Sequence, residues 1–262
     1  MQTSTVQPIG LVELGVAATL VIALALITWR DSRTLSRSLL IAMVRLILQL
    51  ALVALVLEAV FATVNPWVVG GLGLLMVLLA GREVHSRLNT EHPHRRAFPV
   101  ATLSLFVSSF GVAAFALVAL IRFDPWYHPQ YAIPLLGMIL GNSLNSVTLG
   151  LERLREGARH RRAEVEGRLM LGATAWQAIS GPRASALRAA LIPTINAMSA
   201  AGIVALPGMM TGQILAGSPP ALAVKYQILI FLLIAASAGM GALIAIALGV
   251  RGLFDDRDRL QL

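Results

Sequence analysis

Runs of apolar residues alternate along this chain with short polar stretches rich in arginine. A hydrocarbon core of about 30 Å is crossed by about 20 apolar residues of helix. Seven runs meet that length and are predicted as spans, near residues 9 to 28, 39 to 62, 66 to 81, 98 to 121, 131 to 151, 187 to 208 and 223 to 249. The third is the shortest and opens on Pro66, Trp67 and the cluster Gly70, Gly71 and Gly73. The sixth is interrupted by Pro193 and again at Pro207, which leaves open whether it is one helix or a discontinuous one. Within the spans Gly137 and Gly141 stand at GxxxG spacing, and Ala235, Ser237, Gly239 and Gly241 form a small-residue stretch suited to close helix packing.

Between the fifth and sixth runs the pattern changes period. From Ala163 to Ile179 it predicts a short amphipathic helix, with Val165, Leu169, Trp176 and Ile179 on an apolar face and Arg161, Glu164 and Arg168 outside it. Gly172 falls in the middle, where it costs about 1 kcal/mol relative to alanine unless another backbone approaches closely. Two readings are open for this segment: a docking element for a partner, and a helix lying on lipid headgroups.

Composition closes off the soluble classes. The chain has 262 residues, 57% of them hydrophobic and 13% charged, too little polar surface to cover a globule. No polar stretch approaches the roughly 50 residues that an independent domain needs, so a single all-α transmembrane domain over 1–262 is expected. The N-terminus lacks the basic region and cleavage site of a signal peptide, which makes 9 to 28 a permanent first span. There are no cysteines, hence no disulfides or thiolate ligands.

The formal charge of +8 is distributed as a topology signal. Apart from Arg45, Arg122 and Lys225, every basic residue follows an odd-numbered span. The positive-inside rule then predicts an outside N-terminus, a cytoplasmic C-terminus and a cytoplasmic 152 to 186 loop, in a multi-pass cell-membrane protein. The basic excess is thereby assigned to topology and anionic lipid headgroups rather than nucleic acid.

Candidate chemistry is sparse. A P-loop needs lysine followed by Ser or Thr, and the sole lysine, Lys225, precedes Tyr226. HExxH, GxSxG and CxxC are also missing, so neither enzymatic activity nor a cofactor bound by this chain is expected. Intramembrane polar residues mark a pathway or helix-to-helix hydrogen bonding. They are Gln49 one turn after Arg45, the collar of Asn142, Ser143, Asn145 and Ser146, then Thr194, Asn196 and Ser199. In LPGMMTG, Pro207 lacks a donor, and Gly208 and Gly212 loosen the backbone. Freed carbonyls with Thr211 and Gln213, and the thioethers of Met209 and Met210, are candidate cation ligands there; the plainer reading is a capped helix end. Glu13 and Glu58, near the outer ends of their spans, form a second weak metal candidate, and His92 and His94 beside Glu91 a third.

Taken together, RLILQL (45–50), GMILGNSLN (137–145), LMLGAT (169–174), RAALIPTINAM (188–198), LPGMMTGQILAG (206–217) and KYQI (225–228) resemble the FetB (YbbM-like) permease family. Glu166, Gly172 and Pro193 also resemble the EAA-type coupling loop of ABC importer permeases, although Gly167 and Arg168 stand where that loop has alanines. The resemblance implies the membrane subunit of an ABC transporter, with ATP and Mg on a separate ATPase subunit. It implies iron export in bacteria, with plant relatives tied to aluminium tolerance. Glu166, Leu169, Gly172, Ala173, Thr174 and Trp176 become the expected ATPase contact. Gln49, Asn142, Asn145, Asn196 and Gln213 become the expected pathway in a homodimer surrounded by lipid. Pro193, Pro207, Gly208 and Gly212 become the expected hinge and gate. Other classes remain open from the residues alone: a gradient-driven carrier or channel, ABC export of a non-metal molecule, and a membrane scaffold.

Overall fold

A computed structural model describes residues 10–88, 97–255 and 259–260. His92, His94 and Glu91 lie outside the described residues, as do Arg95, Arg96 and Arg257. The described chain is all-α and carries no strand. By backbone contacts it forms two compact units, one within Met1–Val64 and Leu215–Ser218 and one within Asn65–Ile214 and Pro219–Leu262.

The first unit is a helical hairpin of α1 (Leu11–Trp29) and α2 (Arg33–Phe61). Ser32 starts α2 by accepting a hydrogen bond from the Leu35 amide, a role its short hydroxyl is suited to. The helices meet where Ser36 Oγ donates to the Ala25 carbonyl at 2.6 Å, both residues being buried. Most leucine, isoleucine and valine side chains elsewhere on the pair are exposed, as lipid-facing side chains are.

The second unit is a bundle of α3 (Pro66–Leu88), α4 (Ala97–Ile121), α5 (Pro129–His160), α8 (Ser180–Ala200) and α10 (Pro220–Leu253). α5 is its axis. Ser143 and Ser237 lie 2.8 Å apart, Gly150 packs on Ile246 and Gly249 on Leu151 and Leu154, so α5 and α10 run parallel in register. A side chain at Gly249 would stand 2.9 Å from Leu151, and one at Gly81 would collide with Thr102. Inside lipid, helices associate through such close approach rather than through hydrophobicity. α4 carries two π-helical stretches, Phe106–Phe110 and Ala116–Ile121. The first widens the turn so that consecutive serines, Ser108 and Ser109, both face inward, and Ser109 reaches Ser237 at 3.4 Å.

Among the described residues six helices are long and apolar enough to cross a membrane: α1 to α5 and α10. The third and fifth are longer than their apolar runs, with α3 continuing to Leu88 and α5 to His160. The run at 187 to 208 is corrected: its helix, α8, begins at Ser180 and stops at Ala200. Ser180, Arg183, Ser185 and Arg188 dilute its first half, which is why it falls short of the hydropathy of the others. Pro193 does not interrupt it. The break comes at 201–207, where Gly202 adopts a left-handed φ of 81° before α9 (Gly208–Leu215).

Candidate functional site

The segment between α5 and α8 is not one amphipathic helix. It folds as α6 (Arg162–Met170), a tight turn and α7 (Ala175–Ala178). Gly172 lies in that turn at φ 90°, so its role is to end α6 rather than to sit within a helix. Its N–H donates to the Leu169 carbonyl (2.9 Å) and the Ala173 N–H to the Arg168 carbonyl (3.0 Å). This pair of bonds is the Schellman closure of a helix C-terminus, and it needs a residue that tolerates the left-handed region. Thr174 then opens α7 with a capping box: its Oγ1 accepts from the Gln177 amide (3.3 Å) while Gln177 Oε1 accepts from the Thr174 amide (3.0 Å).

The element is seated by a few apolar residues. Val165, Ala178 and Ile179 are buried in one cluster with Leu154, Ala158, Ala186, Val250 and Leu253 from α5, α8 and α10. Its outer face carries two i,i+4 ion pairs, Arg162–Glu166 and Arg168–Glu164, each at 2.7 Å. Both are solvent-exposed, so each contributes at most about 1 kcal/mol. Met170 and Leu171 stand 84% and 90% exposed at the turn. A groove of about 930 Å³ lies beside them.

Glu166, Leu169, Gly172, Ala173 and Thr174 all line this groove, so the structure brings five of the six expected contact residues together. Trp176 does not line it; its ring faces a second cavity and stacks under Arg183, whose guanidinium carbon is 3.7 Å from the ring centroid. The opposite wall of the groove comes from the C-terminal segment, where Arg259 pairs with Asp255 at 2.8 Å and Leu260 is buried. Asp255, Arg259, Leu260, Met170 and Leu171 were not legible as site residues. Only the apolar LM and L of LMLGAT, standing beside a helix-ending glycine, hinted at an exposed pair.

The polar collar on α5 splits into two faces. Ser143 and Ser146 are buried, and Ser143 joins α5 to α10 through its bond to Ser237. Asn142 and Asn145 are exposed: Asn142 Nδ2 donates to the Met138 carbonyl (2.8 Å), and Asn145 Oδ1 accepts from Arg87 at 3.1 Å. On α8, Thr194 is buried, while Pro193, Asn196 and Ser199 are exposed. Gln49 belongs to the first unit, exposed on α2 one turn from Arg45.

The expected gate is rearranged. Pro207 immediately precedes α9, and its carbonyl is not freed, because it accepts from both the amide (3.0 Å) and the hydroxyl (3.1 Å) of Thr211. Gly208 and Gly212 are helical, so neither uses the left-handed freedom expected of it; Gly202 and Gly217 do. Met210 is buried and its amide donates to Gln227 Oε1 on α10 at 3.2 Å, a tie that the run KYQI did not reveal. Met209 is half-buried, and Gln213 Oε1 is buried without a hydrogen-bond partner. Glu13 and Glu58 are exposed on α1 and α2. Among the described residues no three His, Asp or Glu side chains gather as a metal site.

Comparison with known proteins agrees with this architecture. UPF0014 membrane protein slr1647 of Synechocystis is 41% identical over 238 residues, 91% of each chain. The protein named "Probable iron export permease protein FetB" of Escherichia coli is 30% identical over 248 residues, covering 95% of this chain and 93% of that one. "Protein ALUMINUM SENSITIVE 3" of Arabidopsis thaliana is 28% identical over 253 residues, covering 96% and 90%. No solved structure matches the chain. With its multi-pass apolar helices and a family match over residues 11–254, this chain is a membrane protein that belongs to the family described as Uncharacterised protein family (UPF0014).

Proposed function

We propose that the chain is the membrane subunit of an ABC transporter that exports iron or a related metal, driven by a separate ATPase that carries ATP and Mg. The observation that supports it most is the α6–turn–α7 element. Two exposed apolar side chains, Met170 and Leu171, project from a rigidly closed turn beside a large groove, at the arginine-rich end of a membrane bundle. A protruding apolar knob held by a Schellman closure and a capping box transmits a push, because few of its own dihedrals yield. α8 begins two residues after α7 and carries that push to the break at 201–207.

The pathway in this reading lies between two copies of the chain. Asn142, Asn145, Asn196 and Ser199 are exposed on the bundle, and amides facing hydrocarbon are costly, so a second copy and an aqueous path suit them better than lipid. The metal cargo is suggested by the name of the Escherichia coli relative. Purified chain mixed with an ABC ATPase of the same cell is expected to form a stable complex with stimulated ATP turnover. Gly172→Trp is expected to abolish the stimulation while the chain remains folded. Normal coupling in that variant, or metal transport by the chain alone under an ion gradient, would overturn the reading.

A further inference from the structure

A second cavity, of about 280 Å³, opens at the same arginine-rich end but on another face of the bundle. It is lined by Trp176, Ser180 and Arg183 at one end, and by Leu187 on α8 with Leu243 and Ile246 on α10 at the other. The lining is graded. Arg183 stacks on Trp176 and donates to the Trp176 carbonyl at 3.4 Å, and Arg168 reaches Ser180 Oγ at 3.2 Å. Two guanidinium groups therefore flank Ser180. Arg168 is paired with Glu164, whereas Arg183 meets no carboxylate among the described residues. A half-buried guanidinium over an aromatic face favours an anion as its remaining partner.

One turn deeper the walls become apolar. Leu187, Leu243, Ile246 and Ala247 leave a slot continuous with the outer surface of α10, where Leu243 is itself exposed. At about 30 Å³ per water, the cavity equals roughly nine waters, enough for a segment of hydrocarbon chain. A free anion would use the arginine and leave the slot empty. A neutral acyl chain would use the slot and leave the arginine unmatched. One molecule carries both features in the right order along the membrane normal.

We propose that this cavity is a binding site for an anionic phospholipid, its phosphate on Arg183 beside Ser180 and the start of one acyl chain between Leu187 and Leu243. The lipid then buttresses α7 from the side opposite the groove, through Trp176. The site stands on this geometry alone and does not depend on the cargo or on the ATPase.

The test uses the full chain, purified in detergent and titrated with phosphatidylglycerol, with phosphatidylcholine of identical chains, and with inorganic phosphate, followed by native mass spectrometry. The tightest retained lipid is expected to be phosphatidylglycerol, favoured about fivefold or more over phosphatidylcholine, the discrimination of about one interfacial arginine. Arg183→Gln is expected to erase that preference. Ala247→Phe, which fills the slot and alters no charge, is expected to remove the retained lipid; if that variant does not fold, Leu243→Ser on the exposed rim is expected to weaken retention while phosphate contacts persist. Equal retention of the two lipids, indifference to Arg183→Gln, or displacement by inorganic phosphate would overturn the proposal, the last in favour of a simple anion site.

Discussion

Two interruptions flank α8, and both turn on a glycine in the left-handed region, yet they are built differently. At 171–174 the turn closes on itself with a Schellman pair and a capping box, over a floor of buried Val165 and Ile179. At 201–207 three amides converge on the Ala200 carbonyl, the Gly202 amide bonds Ala205, and Ile203 and Val204 project 87% and 85% exposed. None of residues 201–207 is itself buried. Its depth sharpens the contrast. Gly150 of α5 packs on Ala190 of α8. From that level α8 rises about 15 Å to Ala200, while α5 needs about 31 Å to reach Pro129. The second turn therefore starts partway along the bundle, where irregular backbone is tolerated only against protein or water. A turn closed by a Schellman pair and a capping box over buried residues is suited to bearing load, and one without that closure is suited to moving.

The largest effect is expected from removing the floor. Val165→Asp places a carboxylate in the cluster under α6, at a cost above about 3 kcal/mol, and should abolish monodisperse protein on size exclusion. Next, Gln227→Leu strands the buried Met210 amide that ties α9 to α10, at about 1–3 kcal/mol. A lowered melting temperature with intact ATPase stimulation is the expected pattern, and lost stimulation would show the two turns to be one device. The paired variants Gly172→Ala and Gly202→Ala each force a Cβ into a left-handed backbone for about 1–2 kcal/mol. The space around both is open, so conformation alone is tested. Gly172→Ala should lower ATPase stimulation about tenfold and Gly172→Asn less. Gly202→Ala should leave stimulation unchanged and slow transport. The mildest variants map sidedness. The chain lacks cysteine, so Met170→Cys and Val204→Cys can be labelled singly with an impermeant maleimide. Only Val204→Cys should react in intact cells, and the reverse pattern would overturn the predicted orientation.

Much of the fold was legible because lipid imposes one simple requirement, a long apolar helix, and α1 to α5 and α10 meet it. α8 was misplaced for the same reason. Hydropathy averages Arg183 and Arg188 against the apolar residues after them, whereas the backbone begins a helix at Ser180 regardless. The groove-lining residues Glu166, Leu169, Gly172, Ala173 and Thr174 were legible as a group because LMLGAT and the arginine-rich loop stand out from their surroundings. Their geometry was not, since a glycine inside an amphipathic pattern and a glycine ending a helix give the same letters. Nothing local marks Asp255, Arg259 or Leu260 as the far wall of a groove formed with residues some 90 positions earlier.

By itself the sequence determined that this is an all-helical multi-pass membrane protein of its family with a polar element between its fifth and sixth runs, because apolar length and charge are additive along a chain. Only the tertiary structure decided that Gly172 ends a helix, that Pro207 leaves no orphan carbonyl, that Ser143 of the collar meets Ser237 while its asparagines face outward, and that Arg183 stacks over Trp176. Each of those depends on which distant backbone or side chain supplies the partner, and a one-dimensional pattern does not contain the register that brings the two together.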